Sequence, residues 1–164
     1  MNWTIVVAAL LAIVVAAAGG WLTEIGPWYR TLRKPSWQPP NWVFAPAWTA
    51  IFALSAAAAV LGWNAAPDSG TRSLVFGLFV VNAVLNMAWS WLFFTLRRPD
   101  WALREVGLLW LSILVLILVL WPLDRHAGWC LLPYLAWVSF ASFLNWTIVR
   151  LNRPFAGRAV ERPA

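Results

Sequence analysis

Between Met1 and Thr23 the chain carries no charged residue, and the run 3–22 is apolar apart from Thr4 and two glycines. About 20 helical residues at ~1.5 Å each cross the ~30 Å hydrocarbon core of a bilayer. Four further apolar stretches follow, at about 42–63, 73–95, 101–121 and 128–150, with most of the charges held between them. Lipid offers backbone N–H and C=O groups no partner, so a chain that crosses it five times in such short segments must cross as helices. The pattern predicts an all-α protein, an integral membrane five-helix bundle in one domain over residues 1–152, followed by a basic, disordered tail over 153–164. Composition agrees, with 62% hydrophobic and 11% charged residues, against roughly half and a quarter in soluble domains. A cleaved signal peptide is the rival reading of the first run, since Ala16–Ala18 supply small residues. Met1-Asn2 is not a basic leader and the run is long for one, which favours a retained helix.

The charges then assign sides. Ten of the twelve Lys and Arg residues fall on one face: Arg30, Arg33, Lys34, Arg97, Arg98, Arg104, Arg150, Arg153, Arg158 and Arg162. Arg72 and Arg125 fall on the other. Basic loops stay on the cytoplasmic side, which predicts an N-terminus outside and a C-terminus inside. The same distribution argues against nucleic acid as the partner of the net +6 charge, because the cations form short loops rather than a continuous patch. Many of the fifteen Trp sit near segment ends, where indoles favour the membrane interface. The single Cys130 excludes an intrachain disulfide, and His126, beside Asp124 and Arg125, reads as a solvated loop residue rather than a metal ligand.

The long loop 23–41 and the start of the following helix hold the sequence's least ordinary stretch, Arg33-Lys-Pro-Ser-Trp-Gln-Pro-Pro-Asn-Trp-Val-Phe-Ala-Pro-Ala-Trp48. Proline fixes its own φ and pushes the preceding residue to extended conformations, so Lys34–Pro40 is expected to be stiff and non-helical. Large indoles on a rigid backbone suit a lid or wall over a pocket, with Arg30, Arg33, Lys34 and Trp37 in it.

Polar groups inside a membrane cost free energy and need a reason. On the third span Asn82, Asn86, Trp89 and Phe93 recur at three- or four-residue intervals, so they share a face. Trp137, Ala141, Leu144 and Asn145 form a similar stripe on the fifth, as do Ala45, Trp48 and Phe52 on the second. Two readings stand side by side: asparagines and indoles that hold helices together, or an aromatic pocket with a few amides. Trp101 opens the fourth span; Arg104 and Glu105 beside it are expected to snorkel to the interface, with a loop cation as the alternative partner for Glu105. The spans hold neither a histidine nor a carboxylate pair, so acid–base catalysis has no candidates.

Trp28-Tyr-x-x-Leu-x-Lys-Pro-Ser-Trp-Gln-Pro-Pro-Asn-Trp-Val-Phe-x-Pro-x-Trp-Thr49 closely resembles the signature of the TspO/MBR family of tryptophan-rich sensory proteins and mitochondrial translocator proteins. Leu85-Asn-x-Ala-Trp-x-x-x-Phe-Phe94, Trp101-Ala-Leu103 and Leu131-Leu-Pro-Tyr-Leu-Ala-Trp-x-x-Phe-Ala-x-x-Leu-Asn145 extend the likeness in order along the chain. The resemblance implies a five-helix membrane bundle of a bacterial envelope, often a homodimer. It would bind porphyrins such as protoporphyrin IX, sterols or other hydrophobic molecules in contact with membrane lipid, with no required cofactor. It implies a pocket of Ala45, Trp48, Phe52, Asn86, Trp89, Phe93, Trp101, Trp137, Ala141 and Leu144. Trp48 and Trp137 fall where family members are proposed to degrade porphyrins in light, which leaves a porphyrin-degrading enzyme and a tetrapyrrole or sterol transporter as alternatives to a receptor. Two departures bear on ligand choice: Trp146 stands where the family's sterol pattern has tyrosine, and Phe52 where many relatives have tyrosine.

Overall fold

A computed structural model describes residues 3–23 and 25–155, and every regular element among them is helical. The sequence expectations for Glu24 and for the tail cations Arg158 and Arg162 lie outside the described residues. Helix α1 is Trp3–Leu22, the short α2 is Pro27–Thr31, and a 3₁₀ turn at Asn41–Val43 leads into α3, Phe44–Ala65. Then come α4, Ser69–Ser90, continued by a π-helical turn at Trp91–Thr95; α5, Pro99–Leu120; and α6, Arg125–Asn152. Four helical stretches, Asn41–Ala65, Ser69–Thr95, Pro99–Leu120 and Arg125–Asn152, are long and apolar enough to cross a membrane, and α1 is a further apolar helix.

The long helices close a ring. α1 packs on α3, α3 on α6, α6 on α5, α5 on α4, and α4 returns to α1. Each helix thus turns one face inward, and the inward faces of α3, α4, α5 and α6 are the stripes that carry the polar and aromatic residues. The core between them is Ile51, Val75, Val106, Leu109, Ile113, Leu116, Leu120, Leu131, Tyr134 and Val138, all buried.

Boundaries differ from the sequence expectation where a cap sits upstream of the apolar run. α4 begins at Ser69 rather than near 73 because Asp68 Oδ1 accepts from the Thr71 N–H at 2.8 Å. α6 begins at Arg125 rather than near 128 because Asp124 Oδ1 accepts from the N–H groups of His126 and Ala127 at 2.7 and 3.3 Å. These bonds satisfy N–H groups that a helix start otherwise leaves open. The Thr71 N–H holds the Asp68 carboxyl below its ordinary value. A depressed carboxylate pKa contributes stability above the unfolded value near 4, lost only as pH falls through the folded value, so this cap is intact at neutral pH.

At its other end α4 widens. The Leu96 N–H bonds the Trp91 carbonyl at 2.9 Å and the Arg98 N–H reaches back to the Leu92 carbonyl at 2.9 Å. Arg97 at φ 55 makes that reversal possible in the left-handed region that non-glycine residues rarely enter. The π turn brings both Phe93 and Phe94 within reach of Tyr29, at ring separations of 6.5 and 5.6 Å.

Close helix packing is decided at Gly62, on the buried face of α3. A Cβ there would overlap Leu120 Cδ2 and lie 3.7 Å from Val75 Cγ1, and Leu120 is fully buried, so its side chain would have to repack within the core. Gly62→Ala should lower stability by about 1–3 kcal/mol, read as a lower thermal midpoint in detergent. Gly107→Ala, where a Cβ meets nothing within 4 Å, is the control and should be neutral or slightly stabilising. Equal midpoints for the two variants would refute this packing.

Candidate functional site

Three polar contacts fix how α4, α5 and α6 stand against one another. Asn82 Nδ2 donates to Ser112 Oγ at 2.8 Å, joining α4 to α5. Asn86 Nδ2 donates to the Tyr134 hydroxyl at 3.0 Å, joining α4 to α6. Asn145, its amide oriented by its surroundings, donates to the Pro99 carbonyl and accepts from the Leu103 N–H, each at 3.1 Å, joining α6 to the first turn of α5. Each asparagine is buried. The helix-joining reading of Asn82, Asn86 and Asn145 is therefore observed.

Around this polar frame the aromatic residues form three groups. Trp48 stacks on Phe52 at 5.4 Å and meets the Tyr134 ring edge-on at 6.1 Å. Trp89 stacks on Phe93 at 5.2 Å, and Phe93 continues to Trp28 at 6.1 Å. Trp137 meets Phe44 at 5.6 Å and Phe140 at 5.7 Å, and its buried Nε1–H has no hydrogen-bond partner among the described residues. Trp89 packs against both apolar clusters, the Tyr134 group and a second around Tyr29, Phe93, Ala102, Leu144 and Ile148. Ala141, half-buried on α6, is one turn on from Trp137. The ring thus brings together Trp48, Phe52, Asn86, Trp89, Phe93 and Leu144 of the expected pocket in two adjoining layers. Ala45 and Trp101 are exposed, and the Arg98 guanidinium lies 4.5 Å from the Trp101 ring centre.

Glu105 departs from its expected place. It does not snorkel: both carboxylate oxygens are buried, with no hydrogen-bond partner among the described residues. Nor does a loop cation pair with it among the described residues, where Arg98 pairs with Asp100 and the His126 ring lies 3.3 Å from Asp124. Its helical position explains the burial. Ala102, Glu105, Leu109 and Ser112 share one face of α5, and Ser112 bonds α4, so that face points into the bundle. Arg104, a third of a turn away, is exposed as expected.

The loop is tied down rather than loosely laid. Asn152 at the end of α6 grips one loop residue on both sides, its Oδ1 accepting from the Arg33 N–H and its Nδ2 donating to the Arg33 carbonyl, each at 2.8 Å. Trp37 stacks on Phe143 at 5.2 Å and 18° and meets Phe140 at 6.0 Å, so it latches the loop to α6. Lys34 Nζ donates to the Tyr29 carbonyl at 2.6 Å and lies 4.2 Å from the Tyr29 ring centre. Burial lowers the Lys34 pKa and raises that of Tyr29, the latter offset in part by Gln38. Arg30 and Arg33 are exposed. The backbone is not extended throughout: α2 was not expected, and the Gln38 N–H closes a turn on the Pro35 carbonyl at 3.1 Å. A crevice at the loop's foot, lined by Gly26, Pro27, Trp28, Tyr29, Phe94 and Arg97, has a cavity volume of only about 10 Å³. That is below the ~300–1,000 Å³ of sites for drug-sized ligands.

Comparison with known proteins agrees with the motif reading. A sequence profile described as the TspO/MBR family matches residues 6–151. The chain is 40% identical over 159 residues to the tryptophan-rich protein TspO of Chlorobaculum tepidum, covering 93% of this chain and 99% of that one. It is 33% identical over 152 residues to the protein CrtK of Rhodobacter capsulatus, covering 93% and 95%. The translocator protein of Homo sapiens is 32% identical over 131 residues, 79% of this chain and 78% of that one.

Asn152 and Tyr134 carried no signal of their own in the sequence, since an asparagine at a helix end and a tyrosine in an apolar run have many uses. The clamp is open to a direct test. Asn152→Ala removes both bonds to Arg33, each worth about 1 kcal/mol, and hydrogen exchange of the loop amides from Arg33 to Gln38 should accelerate by about tenfold or more while α5 stays protected. Unchanged exchange in that segment would show that Trp37 alone holds the loop.

Proposed function

The chain belongs to the TspO/MBR family, and on that premise we propose that it is a membrane receptor for tetrapyrroles, protoporphyrin IX foremost, serving tetrapyrrole homeostasis or a stress response. The observation that carries the proposal is the two aromatic pairs Trp48–Tyr134 and Trp89–Phe93, with Trp48 and Trp89 both packed on the core inside the ring of helices, beneath a basic loop. A porphyrin is a flat π-system that stacks on indole and phenyl faces, and its two carboxylates suit the exposed guanidiniums of Arg30 and Arg33 at the mouth. The bound ring would enter by displacing aromatic contacts that Trp48, Phe52, Trp89 and Trp137 now make with neighbours. Other hydrophobic ligands fit the same aromatic faces, while Trp146 and Phe52 withhold two hydroxyls from sterol-like ones.

In this reading α1 is the first of five crossings, the amino end lies outside, the loop and α6 end face the cytoplasm of a bacterial cell, and two copies associate in the membrane. The family's names include sensory and translocator proteins. A receptor role is preferred to a pump because the ring carries no inverted pair of broken helices among the described residues.

Protoporphyrin IX should quench the tryptophan fluorescence of the purified chain saturably, with a Kd of about 1–10 µM, near −7 to −8 kcal/mol. The Trp48→Phe, Trp137→Phe double variant should bind at least about tenfold more weakly. Trp21→Phe, at an exposed position of α1, should leave the affinity alone. Equal affinity in the double variant and the parent would place the ligand elsewhere.

A further inference from the structure

Among the described residues Glu105 is the one carboxylate inside the bundle, and nothing in the aromatic reading uses it. Its two oxygens are buried and unpartnered among the described residues. The Asn82–Ser112 bond sets the register of α4 against the antiparallel α5. Seven residues back along α5 from Ser112 is Glu105, and seven on along α4 from Asn82 is Trp89, so the two stand at one level, two turns along the same facing surfaces. On α6, the buried Tyr134 carries a hydroxyl. That hydroxyl already accepts from Asn86. Among the described residues, Arg98 is bound to Asp100, Lys34 to the Tyr29 carbonyl, and Arg97 and Arg104 are exposed.

An ionised carboxylate held in apolar surroundings without a partner is costly, by several kcal/mol even after relaxation, and a cation supplied from outside removes that cost. We propose that Glu105 is the anchoring acceptor of the interior site and selects flat, apolar ligands that carry a protonated amine or amidine. The ring of such a ligand lies against Trp89 and Phe93, and its N–H groups donate to Glu105 in a charge-assisted bond. This preference rests on the receptor reading above but is separable from it, since protoporphyrin IX meets its proposed cations at the loop and not at Glu105. The side chain is a selectivity residue for a second chemical class of ligand, set about two turns below the loop.

The test uses two probes with the same ring: acridine, uncharged at neutral pH, and 9-aminoacridine, cationic there, titrated into the full chain in zwitterionic detergent with tryptophan quenching as readout. The parent should bind the cationic probe at least about tenfold more tightly than the neutral one. Glu105→Gln keeps the shape and removes the charge, and should bring the ratio to near one while leaving protoporphyrin IX binding unchanged and the thermal midpoint no lower than the parent's. A parent that binds both probes equally, as it would if water alone satisfies the carboxylate, overturns the proposal, and so does a ratio that survives in Glu105→Gln. If Glu105→Gln does not fold, the parent decides alone: octylammonium must displace bound 9-aminoacridine at concentrations where octanol does not, and equal displacement refutes the site. Loss of porphyrin binding with the probe ratio intact would sink the tetrapyrrole reading and leave this one standing.

Discussion

The bond from Asn86 to the Tyr134 hydroxyl, with its neighbours Asn82–Ser112 and Asn145 to the first turn of α5, is the constraint on which the interior depends. Helices in lipid gain little from apolar contact with one another, because the lipid is as apolar as they are. What distinguishes one helix arrangement from another is where small residues allow approach and where polar groups find partners. Here Gly62 allows the approach and the asparagines choose the partners. Once α4 is pinned to both α5 and α6, the levels of Trp89, Phe93, Glu105 and Tyr134 are fixed together.

The loop is built on the same logic at the membrane's edge. Its prolines stiffen the backbone, but stiffness alone does not position it. Asn152 does so by holding one residue, Arg33, through both its backbone groups, and Trp37 adds a stacked contact on Phe143. The lid is thus hinged to α6, the helix that also carries Tyr134 and Trp137. The π turn after α4 completes the arrangement by turning Phe93 and Phe94 toward Tyr29 and Trp28.

Much of this was readable in the residues. The faces of α4 and α6 followed from three- and four-residue spacing, and Asn82, Asn86, Phe93, Leu144 and Asn145 are buried as that spacing required. The fate of Glu105 was not readable. A charge one to two turns from a helix end can reach the interface or turn inward, and only the azimuth of α5, set by Ser112 against Asn82, decided between them. Ala45, on the stripe of the second span, and Trp101, at the start of the fourth, are exposed, which spacing alone does not tell. The starts of α4 and α6 were misplaced by three or four residues because hydropathy was followed past Asp68 and Asp124, whose capping role was available in the sequence.

By itself the sequence determined the helical state, the membrane setting, the approximate spans and the family, because lipid forbids unpaired backbone and because the proline–tryptophan signature is long and ordered. The tertiary structure alone decided the ring order of the helices, the partners of the asparagines, the hinge at Asn152 and the inward turn of Glu105. The physical reason is that helical periodicity specifies which residues share a face, whereas the direction of that face is set by contacts between residues far apart in the chain.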